Sequence, residues 1–461
     1  MLQSARIKVL VDAPPRPEGA YVLYWMQNAQ RSRFNPALEL AIDEANGLKL
    51  PVVVAFSLTA FPEANARHYD FMLHGLAQVR DDLAAKGIAF VIRKQAPDAL
   101  IVELARDAAL VVCDRGYLKI QRTWRDRLAK ALTHDGGRRL IQVEGDVVVP
   151  VETASPKHEY AARTLRPRLH RVWEEFIEEL RPRKANHPAT GLKLAGDVNL
   201  DDPAGVVADL KIDHRVGAVR RFAPGQDGAA ARLEAFLDDG LVRYGDQRGK
   251  PEARAASHMS PYLHYGHISP VEIALKVRAT KAGPDTNRAT YLEELIVRRE
   301  LSMNHAFYEP GYDTYECMPE WARKTLQAHA GDPRPNLYDL AQFEAGETHD
   351  PYWNAAMLEM RATGYMHNHL RMYWGKKILQ WSKSPEEAFD TTLRLNNRWF
   401  LDGRDANSFT NIGWLFGLHD RPWGPQPVFG TVRSMGMNTF KKFDAEAYVA
   451  EVAKLAAEED A

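Results

Sequence analysis

The sequence predicts two architectures in one chain. A doubly wound parallel α/β sheet domain of Rossmann-like build comes first, and a large all-helical domain follows. Three observations carry this. Short, nearly continuous apolar runs alternate with helical patterns in the first third of the chain. After about residue 225 the runs stop, and helical patterns rich in Trp, Tyr, Met and His follow in series. At 461 residues the chain is also too long for one ordinary domain.

Five strands are expected: Tyr21–Trp25 (YVLYW), Pro51–Leu58 (PVVVAFSL), Ile88–Arg93 (IAFVIR), Ala109–Asp114 (ALVVCD) and Leu140–Val143 (LIQV). Helical patterns lie between them, such as Arg67–Lys86, which stops at Gly87. Apolar strands separated by helices indicate a parallel sheet covered on both faces. Residues 20–150 therefore form the sheet domain, and any ligand belongs beyond the carboxyl ends of its strands. No G-x-G-x-x-G follows the first strand, so no nicotinamide cofactor is assigned. Residues 151–224 recur in Pro, Gly, Asp and basic residues and read as a long interdomain linker with a helix near Leu169–Leu180. Residues 225–455 carry helical patterns at Ala229–Leu237, Pro270–Ala279, Tyr291–His305, Pro351–Thr363, Met366–Lys383 and Pro385–Asn396. Such a helical domain is large enough to hold a cofactor in its middle.

Composition excludes several classes. With 45% apolar or aromatic and 26% charged residues, the chain is globular rather than disordered. Two cysteines exclude a disulfide scaffold and a four-cysteine metal site, and suit a reducing compartment. There is no apolar run of membrane length, and MLQSARIKVLVDAPPRP lacks the form of a secretory signal, so a cytoplasmic location is expected. A formal net charge of −1 excludes a globally cationic nucleic-acid binder but leaves room for a local basic face.

Several residue groups bear chemistry. In RMYWGKKILQW, Trp374 and Trp381 are seven apart and share one helix face, with Trp353 at the start of the preceding helix. They form a core stripe or an electron-hopping chain of oxidisable rings. Arg371 with Asp402 and Asp405 (LDGRDAN) can make a rigid, permanently charged pair of the kind a buried reduced flavin needs. Asn396 or Asn407 then faces the flavin N5, since an amide both donates and accepts. The same DGRDAN string also reads as a turn with a helix cap. Ser257, His258, Met259 and Ser260 open a helix, where amides and hydroxyls either bind a diphosphate or simply cap, and Tyr244 lies upstream with Arg248 and Lys250. Glu293 and Glu294 either meet a nucleobase edge or form a solvated pair. Basic residues cluster at Arg163–Arg171, Arg220–Arg221, Arg298–Arg299 and Arg421–Lys442, and the last stretch also holds Arg433 and Lys441 and no acid from Arg421 to Lys442. They are solvated faces or a one-sided DNA face. His367 and His369 are two apart and do not share a helix face, there is no H-E-x-x-H, and no metal site is expected.

Taken together the chain resembles the photolyase/cryptochrome family, and within it the class II cyclobutane pyrimidine dimer photolyases. The matching stretches, in family order, are YWMQNAQRSRFNPAL, YGDQRGKP, SHMSPYLHYGHISP, YLEELIVRREL, RMYWGKKILQW, LNNRWFLDGRDAN and GLHDRPWGPQPVFGTVRSM. The resemblance implies an antenna domain, a helical domain holding FAD that is active as the reduced anion, and double- or single-stranded DNA carrying a pyrimidine dimer as substrate. It implies light-driven splitting of the dimer by a carbon–carbon lyase, with a cryptochrome-type photoreceptor as the alternative. It places Tyr244, Ser257, His258, Met259, Ser260, Arg371, Asp402, Asp405 and Asn407 at the cofactor, and Asn396 at N5. Glu294, Met372 and Trp414 fall at the flipped dimer. Trp374, Trp353 and Trp381, with Tyr373 beside them, fall on the electron route, and Arg248, Arg298, Arg421, Arg433 and Lys441 on DNA. An antenna chromophore, a deazaflavin or another, is an open possibility, and the protein is expected to be a monomer without membrane partners. The chain departs from the family pattern at His258, Met259, Phe400 and Ala406.

Overall fold

A computed structural model describes residues 2–460, the side chains of Lys442 and Asp460 excepted. Its sheet has six strands: β1 (Ile7–Val11), β2 (Tyr21–Trp25), β3 (Val52–Ser57), β4 (Ala89–Arg93), β5 (Ala108–Asp114) and β6 (Leu140–Val143). The order across the sheet is β1-β6-β5-β2-β3-β4. All five predicted strands form, and they are mutually parallel. The unpredicted β1 pairs antiparallel with β6, Ile7 opposite Val143. Its half-exposed IKVLV lies on the sheet edge, where one face meets water and the apolar run is not continuous.

The strands that sit centrally are buried throughout: β2 and β5 expose no residue, because helices cover both faces. The chain leaves β2 toward β3 on one side and returns through β5 on the other, so the strand order reverses between β2 and β5. The loop after β2 is fixed there by Asp114, whose carboxylate accepts from the amides of Gln27 (2.8 Å) and Ala29 (3.0 Å).

The linker is more structured than its composition predicts. A helix spans Ala162–Phe176, starting seven residues earlier than expected and tolerating Pro167 inside, and a second spans Pro203–Asp209. Four buried apolar residues of the first helix, among them Leu165 and Leu169, supply packing that the Pro-rich reading underweighted.

From Gly225 onward the chain is helical. Pro351–Thr363 matches its expected bounds, and Asn368–Trp381 and Pro385–Trp399 match theirs within three residues. The segment expected as one helix at Tyr291–His305 is a helix of three parts, Asp285–Leu292, a π-turn at Glu293–Arg298, and Arg299–Tyr308. A π-turn inside a helix is frequent at functional sites because it re-aims side chains.

The two regions are locked together at named atoms. The Arg67 guanidinium donates to the carbonyls of Met360 (3.2 Å), Arg361 (2.5 Å) and Trp399 (2.8 Å), the C-terminal turns of two helices. His68 Nε2 meets Phe400 O at 3.0 Å, and Asn65 donates to Arg398 O at 2.7 Å. Gly266, at φ +67°, lets the backbone approach Asn28, whose carbonyl oxygen stands 1.7 Å from where a Cβ would lie. No described helix is long and apolar enough to cross a membrane.

Candidate functional site

The site is organised by the helix Asn368–Trp381. Arg371 stands in its first turn, paired with Asp402 at 3.0 and 3.2 Å through one terminal nitrogen, and its Nε donates to Met366 O at 3.0 Å. The guanidinium lies 3.9 Å over the Phe400 ring. Apolar Phe400, one of the departures from the family pattern, therefore forms a face of this charge rather than a partner for it. Asp402 is placed by the turn that Asn65, Arg67 and His68 hold from the sheet domain.

Met372 and Lys376, one turn apart on the helix, face a cleft of about 380 Å³ lined also by Trp414, Arg433 and Thr439. Lys376 is fully buried; its ammonium donates to Leu415 O and lies 5.5 Å over the Trp414 ring. Burial pushes its pKa down to about 7, with Arg433 acting in the same direction and Asp420 against. Sequence reasoning missed Lys376, although its i+4 spacing from Met372 was a signal. Arg433 covers both Trp414 (5.6 Å) and Trp423 (4.7 Å), and Arg421 covers Trp423 (5.2 Å). Lys441 is exposed.

The third face of the helix carries tryptophans. Trp353 sits between Trp374 and Trp381, with ring centroids 6.5 Å from the first, nearly parallel at 13°, and 6.0 Å from the second. All three are buried in one core cluster, so stripe and chain coexist. Trp353 is fixed by donating Nε1 to Trp374 O at 3.0 Å, and Trp381 lies 4.9 Å from the exposed His349 ring. Tyr373 points elsewhere: its hydroxyl binds Asp350, its ring packs on Phe440 at 4.7 Å, and burial with that carboxylate raises its pKa.

Glu294, within the π-turn, pairs with Arg248 at 2.8 Å, each side chain about 40% exposed. Arg248 also lies 5.7 Å over Tyr244, whose phenol is pushed up to about 12 by burial and then by Glu294. Glu293 points to the other side and takes Arg166 (2.7 Å) and Arg298 (3.5 Å). Arg298 is thus partly committed within the chain.

Around the predicted phosphate turn, His258 adopts φ +55° and its buried Nδ1 has no hydrogen-bond partner in the protein. Burial lowers its pKa far below the usual range, and the charges of Arg221, Arg232 and Arg254 act in the same direction. Of these, only Arg221 stood in a basic run noticed in the sequence. Ser257 contacts the buried Tyr291 hydroxyl. Ser260 opens a helix of five residues, and the Met259 side chain is buried in the core, which leaves any contact with a phosphate to its backbone.

Two residues expected with Arg371 lie apart from it. Asp405 caps the helix Ala406–Leu415 through Ser408 N (2.8 Å), lies 3.6 Å from His264, and faces a different cavity. Asn407 follows it on the same helix and is half-buried. The turn between Asp402 and Asp405, with Arg404 at φ +66°, gives the two carboxylates different partners, Arg371 and Ser408 N. Asn396 is buried and donates to Asn397 Oδ1 at 3.0 Å, while Asn397 in turn fixes Arg404. The cavity that Asp405 faces is about 170 Å³ and lies beyond the carboxyl ends of β2 and β3, lined by Trp25, Phe56, Tyr117, Trp124, Tyr265 and Arg404 among others. That is where the strand-order argument places a ligand.

Known proteins resemble this chain in sequence and fold. A family model described as DNA photolyase matches residues 22–188. A deoxyribodipyrimidine photo-lyase of Methanothermobacter thermautotrophicus is 44% identical, covering 97% of this chain and 98% of its own. One of Oryza sativa is 37% identical over 98% and 91%, and one of Potorous tridactylus 36% over 92% and 80%. The chain belongs to the photolyase/cryptochrome family. Solved structures share the fold of this photolyase-family chain at low identity. A class III photolyase from Agrobacterium tumefaciens has a TM-score of 0.74 at 20% identity, covering 95% of this chain and 87% of its own. An archaeal photolyase from Sulfolobus tokodaii, solved with two FAD molecules, has a TM-score of 0.68 at 16% identity, covering 95% and 92%.

Proposed function

We propose that the chain is a light-driven DNA repair enzyme, a deoxyribodipyrimidine photo-lyase of the class II branch, that splits cyclobutane pyrimidine dimers using reduced FAD. One observation carries the reading. The helix Asn368–Trp381 joins three parts on three faces: the Arg371–Asp402 pair, the tryptophan relay, and an open cleft at Met372, Lys376 and Trp414. The residues present fit a flavin dinucleotide. The unpartnered His258 Nδ1 marks a place for a diphosphate beside Arg221 and Arg254, which here pair with Glu359 and Glu451, and Arg371 supplies a fixed positive charge for an anionic ring system.

When bound, the flavin supplies light absorption and the exchange of one electron with the dimer. The chain's own residues position and polarise. Met372 and Trp414 form an apolar and aromatic wall for an extrahelical lesion, whose weak pairing keeps the cost of flipping to about a few kcal/mol. Glu294, freed from Arg248, accepts a hydrogen bond from a ring N3–H of the flipped dimer and so positions it, and Arg248 turns to a phosphate. Arg298, Arg421, Arg433 and Lys441 meet the DNA backbone. Trp381, Trp353 and Trp374 would relay electrons to a bound flavin, and Asn396 would lie at its edge. The cavity beyond β2 and β3 would take a second, light-gathering chromophore. The protein acts as a monomer.

The test is to record the absorption spectrum of the purified protein, reduce it, and illuminate it with a dimer-containing oligonucleotide beside a dark control. Flavin bands and light-dependent loss of dimers are expected. Flavin bands without repair would replace the reading with a photoreceptor of cryptochrome type.

A further inference from the structure

Three histidines from distant parts of the sequence meet away from the flavin and lesion residues. His158 follows the short helix Val151–Ala154, His305 ends the helix Arg299–Tyr308, and His419 follows the helix Ala406–Leu415. Their ring centroids are 5.1 Å (His158–His305), 5.5 Å (His305–His419) and 6.0 Å (His158–His419) apart. One imidazole nitrogen from each lies within 4.8 Å of the other two.

Each ring is prepared as a neutral donor. Burial is the first cause in all three: it lowers His158, takes His305 far below its ordinary range and His419 to about 4, and the mutual proximity of the rings adds to it for His305 and His419. The His419 Nδ1 stands 2.9 Å from the carbonyl of Tyr160, which can only accept. Its hydrogen is therefore on Nδ1, and its Nε2 keeps a lone pair. That is the usual arrangement of a metal-binding histidine, in which a carbonyl orients the ring from behind. The His419 Nε2 is buried without a partner in the protein, as is the His305 Nε2. A buried nitrogen left unpaired is costly, so the His419 Nε2 calls for a partner, while His305, which gives one nitrogen to one ion, turns its Nδ1 toward His158. The His158 Nε2 and His305 Nδ1 are 3.1 Å apart. Two nitrogens on one tetrahedral zinc at about 2.0–2.1 Å each are separated by roughly 3.3 Å, so that pair already stands near chelating distance.

We propose that His158, His305 and His419 form a binding site for a divalent transition metal of the zinc class, with water in the fourth position. An all-imidazole set selects such ions over magnesium or calcium, which take oxygen ligands. His158 and His419 are only half-buried, which leaves the water and the entry path on their side. Glu159 and Glu309 are near enough to act on His158 electrostatically and offset part of the ion's charge. His419, held at φ +57°, opens the segment that carries Arg421 and Trp423 at the rim of the lesion cleft. A metal there braces that segment against the helix that continues from Glu294.

The experiment uses the full chain without a histidine tag, stripped with a chelator and titrated with zinc chloride by calorimetry. Cobalt(II) chloride is the spectroscopic probe. One equivalent of zinc should bind, with visible cobalt bands of a four-coordinate nitrogen–oxygen site and a higher melting midpoint. His158→Gln and His419→Gln, at the two half-buried positions, should each weaken binding by at least about tenfold, while the exposed His134→Gln leaves it unchanged. Absence of stoichiometric binding in the unaltered chain would overturn the site. So would binding that survives in both cluster variants, because the ion would then sit elsewhere. Flavin content and dimer repair are read in parallel, so failure of the metal site leaves the catalytic reading standing.

Discussion

Two of the molecule's arginine–carboxylate pairs, Arg371–Asp402 and Arg248–Glu294, differ in what surrounds them. Arg371–Asp402 has side chains 18% and 8% exposed, rests on Phe400, and is held from behind by the sheet domain. Arg248–Glu294 has side chains 40% and 39% exposed, and its guanidinium packs on the Tyr244 ring. The Coulomb attraction is similar, but solvent is not. A pair cut off from water fixes charge in place and is costly to break, whereas an open pair exchanges partners at little cost. The first is suited to a resident cofactor and the second to a substrate that comes and goes.

The comparison is broken most directly at Asp402. Asp402→Ala leaves the Arg371 guanidinium mostly buried without its counter-charge, so a loss of about 3–5 kcal/mol is expected, together with loss of flavin on purification. A thermal melt and the ratio of flavin to protein absorbance measure both. An unchanged melt with full flavin content would show that the buried pair is no more than a surface pair.

Glu294→Ala should do the opposite. Folding should change by less than about 1 kcal/mol and flavin content not at all, because the pair is solvated. Dimer repair should fall by about 10²-fold, since the hydrogen bond that positions the dimer is lost. Glu294→Gln, whose amide oxygen still accepts, should recover part of that rate. Repair rates from pre-reduced protein under fixed illumination decide it, and equal rates in all three forms would remove Glu294 from the site.

Trp374→Phe sharpens the contrast from the buried side. Its ring lies 6.4 Å from Phe400, against which Arg371 rests, and stacks on Trp353. Photoreduction of oxidised flavin should fall by at least about tenfold, because phenylalanine is far harder to oxidise, while repair by chemically reduced protein stays within about twofold. Parallel loss of both would mean a packing role, as the substitution also removes core volume.

The sequence and the structure agree where local physics decides. The five parallel strands, the helix Pro351–Thr363, and the Trp353–Trp374–Trp381 grouping all follow from short-range pattern, because burial on both faces or a shared helix face writes itself into spacing. The misses are three-dimensional. Asp402 and Asp405 stand three residues apart, yet Asp402 pairs with Arg371 while Asp405 caps the next helix and lines the cavity beyond β2 and β3. Strand β1 has no continuous apolar run because it lies on an edge. Arg67, which anchors two distant helices, and the His158–His305–His419 cluster depend on contacts more than a hundred residues apart, for which a single sequence carries no period.

The smallest effect is expected at the rim. Arg421 is exposed and stacks on Trp423, itself 39% exposed, beside Arg433. None of these groups is buried against a carboxylate in the way Arg371 is, so their charge is available to phosphates. Arg421→Ala should weaken DNA binding by only a few-fold, alike for damaged and undamaged duplexes, and should lower the slope of log affinity against log salt by about 1. Flavin content and the repair rate at saturating DNA should not move. Binding titrations at several salt concentrations give the slope directly. A loss confined to dimer-containing DNA would place Arg421 on the lesion with Glu294, and the division between a fixed interior charge and an exchangeable rim would then have to be drawn one layer further out.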